Sequence, residues 1–404
     1  MRVCVTLEHR FDRTPDGSVW TGSNHSYAEL SRYLGVFDEV RILARIRDVP
    51  HPPEAGHRAD GIAVSFWPVP YYLGFGQFCR RIASVRRAVA AGIGAEDAVI
   101  LKVPSTLSSL AKFSLRKKGR PFAVQVIGDP WDVFSKGAIR HPLRALFRQC
   151  FTRLTRAQCA QATAVCYVSG RLRERYPAHP AAFQTSVSDV LIADRFFASA
   201  PRPAPRVASL RIVTVGSLEH LYKGTDVLIE ALSLCVNRGV DACLVVVGDG
   251  KYKEELAELA KRLGVGKRVE FTGAIPGGER VFAELDRADL FILPSRQEGL
   301  PRAMLEAMAR ALPCIGSAVG GIPELLEEED LVPPGDAPRL SDKIVEVAWS
   351  AARMEYMSQK CLLRARDFAG ASLEPRNREF FSFVYEATQH WMKSRDPGMQ
   401  RLAA

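Results

Sequence analysis

The sequence predicts an α/β protein made of two doubly wound, parallel-sheet domains. Two observations carry this. Short apolar runs rich in Val, Ile and Leu alternate with amphipathic helical stretches along the chain, the pattern of parallel strands joined by helical crossovers. The alternation breaks clearly at "SAPRPAPRVASL" (199–210), where three prolines stiffen a polar stretch, and a second strand–helix series starts directly after it. A chain of 404 residues is also too long for one ordinary core and suits two.

In order, the first half opens with a short strand at "RVCVTLE", a polar Gly-containing loop at "PDGSVWTGSNHS", a helix through "YAELSRYL" and a strand at "EVRILARI". Further strands are expected at 97–103, 122–128 and 164–169, with helices between them. In the second half "LRIVTVGSL" is a buried strand. "GTDVLIEALSLCVNRG" is a helix, apolar at 228, 231, 232 and 235 and ended by Gly239. "ACLVVVGDG", "RVEFTG" and "ADLFILPS" are strands, and "KYKEELAELAKRLG" and 279–287 are helices. "PCIGSAVGG" with "PELLEEE" is one more strand–helix unit. "EFFSFVYEATQHWMKS" is an amphipathic helix, and the last ten residues fray. No internal repeat is evident.

Composition is that of a soluble globular protein, with 47% hydrophobic and 25% charged residues. No stretch approaches the ~20 apolar residues of a membrane span, and the N-terminus turns polar too soon for a signal peptide, so a cytoplasmic location is expected. Nine scattered cysteines, none in Cys-x-x-Cys spacing, read as reduced buried thiols; a metal site is not expected. Charge is uneven. Residues 80–175 hold nineteen Lys/Arg against five Asp/Glu, a net +14 in a chain whose total is +10, which points to an anionic partner for the first half. No recognition motif supports nucleic acid.

Ligands of parallel α/β sheets sit at the carboxyl ends of strands, where helices begin. Three such junctions in the second half are chemically loaded: "VGSLEHLYKGTD", "VVVGDGKYKEE" and "LPSRQEGLPRAMLE". Each aims free backbone N–H groups at one rim, an arrangement that binds phosphate. Lys223 adds a point charge, worth roughly 1.5–3 kcal/mol as a charged hydrogen bond to a phosphate oxygen. Gly216, Gly248, Gly250 and Gly299 let ligand and backbone approach. Pro301 suits a first helical position. Glu298 and Glu306 are awkward beside phosphate but suit hydroxyls: Glu306 a ribose diol, Glu298 sugar hydroxyls or positive charge at an anomeric carbon. The bland alternative for each acid is a solvated helix face, and for "GDG" a tight turn.

These motifs resemble the retaining glycosyltransferases of family GT4, which have the GT-B fold. Glu298 and Glu306, separated by seven residues and followed by "AMARALPCIGSAVGGIPELL", match the family's E-x7-E motif; "VGSLEHLYKGTDVLIEAL" and "VVVGDGKYKEELAELAKRLGVGKRVEFTG" match its second domain. The resemblance is close over 211–335 and weaker before it. It implies two Rossmann-like domains facing across a cleft: an acceptor-binding domain at 1–200, a donor-binding domain at 201–375, and a crossover helix and tail at 376–404. It implies a nucleotide-diphosphate sugar as donor and a carbohydrate or lipid-linked acceptor, with no cofactor or metal. Lys223 carries over as the cation of the leaving diphosphate, Glu298 as the sugar-facing acid and Glu306 as the ribose ligand. Gly299, Leu300 and Pro301 cradle sugar and phosphate, and Glu270, Phe271 and Thr272 frame the base. A role in envelope or extracellular polysaccharide assembly is the corresponding expectation.

Two positions depart from the pattern. Ser217 stands where many relatives have Arg, and Gly128 roughly where many have His. Asp129, next to it, is either a substrate-orienting catalytic acid or a turn-forming Asp before Pro130; Trp131 and Asp132 carry the same two readings. These departures keep alive the reading of an inactive donor-fold binding protein; a GT-B nucleotide-sugar epimerase, which would use the donor without an acceptor, is the other alternative. "HPLRALFRQCFTRL" (141–154) is read as a core-packed helix with a basic outer face, against the alternative of attachment to an anionic membrane surface. The aromatic run "FWPVPYYLGFGQF" (66–78) lines an acceptor groove, touches a membrane interface or is a packed loop.

Overall fold

The computed structural model describes all residues except 23–24, 54–55, 117–118, 135–140, 189–191, 204–208, 276 and 396–404. The distal part of the 199–210 break and nearly all of the expected frayed tail therefore lie outside the described residues. The β-branched runs form two sheets. The first contains β1 (Arg2–Arg13), β2 (Val19–Thr21), β3 (Glu39–Asp48), β4 (His57–Arg58), β5 (Val64–Val69), β6 (Ala98–Val103), β7 (Ala123–Val126), β8 (Ala164–Tyr167) and β9 (Phe183–Ser186). Its parallel part is ordered β5-β3-β1-β6-β7-β8-β9, with β2 and β4 added antiparallel at the side of β1. The second contains β10 (Leu210–Val215), β11 (Ala242–Val247), β12 (Val269–Gly273), β13 (Leu290–Leu293), β14 (Cys314–Ser317) and β15 (Leu331–Val332), ordered β12-β11-β10-β13-β14-β15 and parallel throughout. Both orders reverse direction once, at β1/β6 and at β10/β13, as doubly wound sheets do.

Strand side chains alternate between faces, and both faces are covered. In the first sheet Cys4, Val99 and Leu101 pack under Val85, Val89, Leu107 and Ala111 of the Gly74–Gly92 and Thr106–Arg116 helices. Val3, Val5 and Ile100 pack on the other side against Leu373, Phe380, Phe381 and Val384 of the last helix, Gly370–Ser394. That helix leaves the second domain and buries its apolar stripe on the first. In the 199–203 stretch, Arg202 donates to the carbonyls of Leu285, Ala288 and Arg310, tying the start of the break to the second domain.

Four expectations need correction. The first strand is not short: it continues through Arg13 because Phe11 is buried in the core and Arg10–Arg13 pair with β3. The loop after it is a hairpin, turned at Gly17 with a positive φ of 86°. "PELLEEE" forms two short 3-10 turns, Ile322–Glu324 and Glu328–Asp330, rather than an α-helix. The 141–154 helix (observed Arg144–Cys159) buries Thr152, Thr155, Gln158 and Cys159, while Leu143, Leu146, Cys150 and Leu154 face solvent. Its inner face is set by polar helix–helix contacts, Lys112 Nζ to the Ala157 carbonyl (2.8 Å) and Gln158 to Ser109 (3.4 Å). Cys79 and Cys150 are exposed, unlike most of the other thiols.

Candidate active site

The second sheet reverses between β10 and β13, and the loops that leave these two strands meet. Gly224, with φ 72°, lets the chain turn straight from Lys223 into the Thr225–Asn237 helix; a Cβ there would stand 2.0 Å from the Pro294 carbonyl oxygen. Arg296 N–H donates to the Tyr222 carbonyl at 2.7 Å, and the Arg296 guanidinium grips Asp226 with two bonds of 2.7 Å. So anchored, Lys223 Nζ reaches Glu298 Oε1 at 2.6 Å, and Ser295 Oγ donates to the same oxygen at 2.7 Å. Two side chains 75 positions apart form one charged, hydrogen-bonded pair. Glu298 is only 9% exposed, and its Oε2 takes no partner among the described residues.

Pro301 precedes the Arg302–Ala309 helix, one position outside the expected first turn. Arg302 and Glu306 lie four residues apart on one face of that helix, both half-buried, and neither has a hydrogen bond or ion pair among the described residues. Burial pushes the Glu306 carboxyl up to about 7, against a weaker pull from the Arg302 charge. A half-buried carboxyl without a donor is a group waiting for one. In the loop before this helix, Gly321 N–H donates to the Gly299 carbonyl at 2.7 Å.

The glycines do more for the fold than for ligand approach. A Cβ on Gly248 (φ 154°) would sit 1.9 Å from the Gly216 carbonyl oxygen, and one on Gly250 (φ 151°) 2.2 Å from the Glu219 nitrogen. These two glycines let the loops after β10 and β11 lie back to back. Gly216 touches the Lys223 stem, and only Gly299 faces the other domain, its Cβ position 3.7 Å from the Ile127 carbonyl oxygen.

Not every expected residue reaches the rim. Ser217 is exposed and its hydroxyl accepts the Glu219 N–H. Glu270, near the start of β12, lies 3.6 Å from Arg211 near the start of β10, on the amino side of the sheet rather than at its carboxyl rim, so it does not frame a base; Phe271 packs against the core, and Thr272 bonds the Gly273 and Val246 carbonyls. Asp129 is a correction to the catalytic expectation: its buried carboxylate accepts from the Trp131 N–H (2.9 Å), the Tyr176 hydroxyl (2.5 Å) and Arg175. It caps the Pro130–Val133 turn and holds two elements together. The sequence reading missed Gly224, Arg302, Gly320 and Glu324. The "KGTD" and "GGIPE" stretches carried the signal for three of them, since glycines at tight loop crossings are visible as residue types but not as partners.

The chain's residues 209–348 match the family model described as "Glycosyl transferases group 1". Over that stretch, which holds the second sheet, the chain is similar to the group 1 glycosyltransferases. The chain is 28% identical to Protein CapJ of Staphylococcus aureus over 346 residues, 85% of each chain. It is 34% identical over 223 residues, 48% of this chain and 57% of the other, to the GDP-mannose-dependent alpha-(1-6)-phosphatidylinositol monomannoside mannosyltransferase of Mycobacterium tuberculosis. Its fold is that of Anabaena HepE, solved with UDP and glucose: TM-score 0.66 at 16% identity, covering 95% of this chain and 99% of that one. The chain therefore has the GT-B architecture, two Rossmann-like domains across a cleft. They touch directly: Glu324 of the second domain accepts the Gly170 and Arg171 backbone N–H groups of the first at 2.8 and 2.9 Å.

Proposed function

We propose that this glycosyltransferase moves a sugar from a nucleotide-diphosphate donor to a carbohydrate or lipid-linked acceptor, with retention at the anomeric carbon, in envelope or extracellular polysaccharide assembly. The observation that carries the reading is the Lys223–Glu298 pair at the β10/β13 reversal, beside a Glu306 that has no partner of its own. An ammonium has three donors. Lys223 can keep its bond to Glu298 and give another to a departing phosphate oxygen. Glu298 Oε2 is then free for a sugar hydroxyl, and Glu306 for the ribose.

In the reaction, the bond between the anomeric carbon and the diphosphate oxygen breaks and its electron pair leaves with the diphosphate. The acceptor oxygen bonds to the same face of that carbon, and its proton passes to the departing phosphate. Lys223, the start of the Arg302–Ala309 helix and the Arg302 guanidinium stabilise the charge that develops. Arg302 is the cation that offsets Ser217. Thermal shift with UDP, GDP, ADP and CMP on wild type and Glu306→Ala tests the donor site: a ligand at ~100 times its dissociation constant stabilises by roughly 2.7 kcal/mol. The expected outcome is one nucleotide stabilising wild type and less so the variant. No response to any nucleotide favours an inactive binding protein, and sugar conversion without acceptor favours an epimerase.

The first domain is the membrane-facing one in this reading. Ile82 of the Gly74–Gly92 helix and Leu146 (55% exposed) and Leu154 of the Arg144–Cys159 helix stand out among exposed Arg80, Arg81, Arg153 and Arg156. Apolar side chains rimmed by cations fit the surface of an anionic bilayer. Among the described residues no helix is long and apolar enough to cross one. Sedimentation with phosphatidylglycerol vesicles, lost in Leu146→Asp and absent with phosphatidylcholine alone, is the expected result; equal sedimentation with both lipids removes the electrostatic part.

A further inference from the structure

The first sheet has a reversal point of its own, and it is built from different material. β1 pairs with β6 only over Val3–Thr6, whereas its ladder with β3 runs on to Arg13 past a register shift between Thr6 and Arg10. A crevice opens where the two strands part, the place where doubly wound sheets take ligands. Here it is a cavity of about 380 Å³, within the ~300–1,000 Å³ range of small-molecule sites.

The polar end of the cavity is already satisfied. Glu8 accepts the hydroxyls of Tyr72, Ser105 and Thr106 at 2.8 Å and the Leu107 N–H at 3.1 Å, with the Arg45 guanidinium 3.5 Å away. One carboxylate and one guanidinium cancel, so the floor has no spare charge to offer an ion. The walls are rings: Phe75 and Phe147 with centroids 4.9 Å apart, Phe134 5.8 Å from Phe147 and 5.5 Å from Phe151. None of these rings has a part in the transfer chemistry above.

The cavity's position joins two surfaces already described. Pro104, on its rim, is the nearest neighbour of the Cβ position on Gly128, at 3.6 Å. Ile127, one residue earlier, is in turn the nearest neighbour of Gly299, beside Glu298. Gly128 thus leaves open ground between the cavity and the sugar-holding loop. At the other mouth, Phe75 and Phe147 belong to the two helices that carry the exposed apolar and arginine side chains.

We propose that this cavity receives the uncharged alkyl or prenyl chain of a lipid-linked acceptor, the segment next to the reacting headgroup, and so guides that headgroup over Gly128 toward Glu298. The assignment rests on the transferase reading. Apolar walls over a neutralised floor favour such a chain and penalise a charged one, which would be desolvated without a partner.

The test is equilibrium dialysis of the full chain with tritiated farnesol, a neutral prenyl alcohol. Val133→Trp fills the cavity from the Pro130–Val133 turn, and Phe147→Glu puts a charge into its wall from a different helix. Saturable binding by wild type is expected, weakened about tenfold or more in both variants, while both keep the wild-type thermal response to nucleotide, which also shows that they fold. Absence of saturable binding by wild type, or wild-type binding by both folded variants, overturns the proposal. A nucleotide response without farnesol binding removes the cavity assignment alone. Loss of the nucleotide response in wild type removes the transferase reading instead.

Discussion

The reversal points of the two sheets occupy the same place in the same topology and are built in opposite ways. At β10/β13 the loops are short, glycine-locked and charged, and the central pair is a Lys–Glu bond of 2.6 Å. At β1/β6 the strands part into an aromatic cavity in which Glu8 and Arg45 face each other. On the proposed reading one fold supplies a site for a polar, anionic donor and a site for an apolar group, and the difference lies in what the strand ends carry.

The sharpest way to break the comparison is to remove the charge from the polar side. Lys223→Ala strands Glu298 and removes a leaving-group cation; Glu298→Gln removes the sugar-facing charge. Each is expected to cost about 10²–10³ in turnover, the scale of losing one preorganised charge-stabilising donor. Steady-state kinetics on the identified donor measures it. Full activity in Lys223→Ala would end its assignment.

Next in size is a pair of glycine substitutions that separates folding from binding. Gly248→Ala drives a Cβ to 1.9 Å from the Gly216 carbonyl oxygen at a φ of 154°, so the loop pair must open. A loss of about 2–3 kcal/mol in stability is expected, read as a lower Tm in the absence of ligand. Gly299→Ala meets nothing closer than 3.7 Å. Its Tm should match wild type within about 0.5 kcal/mol, while nucleotide-sugar binding weakens because the new methyl stands in the cleft. Equal Tm losses in both would mean that Gly299, too, is structural.

A smaller effect follows from Glu306. Its carboxyl is raised by burial from an ordinary 4.5 to about 7. Between those values the folded chain holds a proton that the unfolded chain has released, so this group's contribution to ligand-free stability falls as pH rises through the window. A ribose diol prefers the carboxylate. Nucleotide affinity should therefore rise with pH up to about 7 and level off above it, by at most about tenfold per unit. Titration calorimetry at several pH values checks this, with Glu306→Gln as the control that must flatten the profile beyond the phosphate's own titration.

How much of this was legible in the sequence also differs between the two sides. Glu298, Gly299 and Glu306 stand in a fixed local spacing, and Lys223, 75 positions before Glu298, follows another strand of the same sheet, so a linear reading could bring them to one rim. The parting of β1 from β6 is a register event among residues 7–106 and leaves no local signature. The Arg144–Cys159 helix shows why periodicity misled: its apolar stripe is real, but the neighbouring helix meets the Thr152–Gln158 face through polar bonds, which leaves Leu146 and Leu154 in solvent and Phe147 and Phe151 on the cavity. Asp129 and Glu270 were acids of the right type whose partners, Arg175 and Arg211, are remote in sequence.

The smallest expected effect concerns how the two sides are held together. Glu324 reaches across the cleft and accepts two backbone N–H groups at the start of the Gly170–Arg175 turn, while Arg171 Nη1 donates to the Gly320 carbonyl at 3.4 Å. Gly320 is itself pressed against the Glu298 carbonyl: a Cβ there would stand 2.1 Å from that oxygen. The closing contact and the sugar-holding loop are thus adjoining parts of one segment, and closure bears directly on where Glu298 sits. Glu324→Gln keeps the shape but makes one oxygen an amide that cannot accept. Because the pair lies at a partly exposed edge, about 1 kcal/mol of the closed state is at stake. A few-fold rise in donor KM with kcat unchanged, and a small increase in the radius of gyration by solution scattering, are the expected readings. A fall in kcat with KM unchanged would place Glu324 in the chemistry itself rather than in the closure that precedes it.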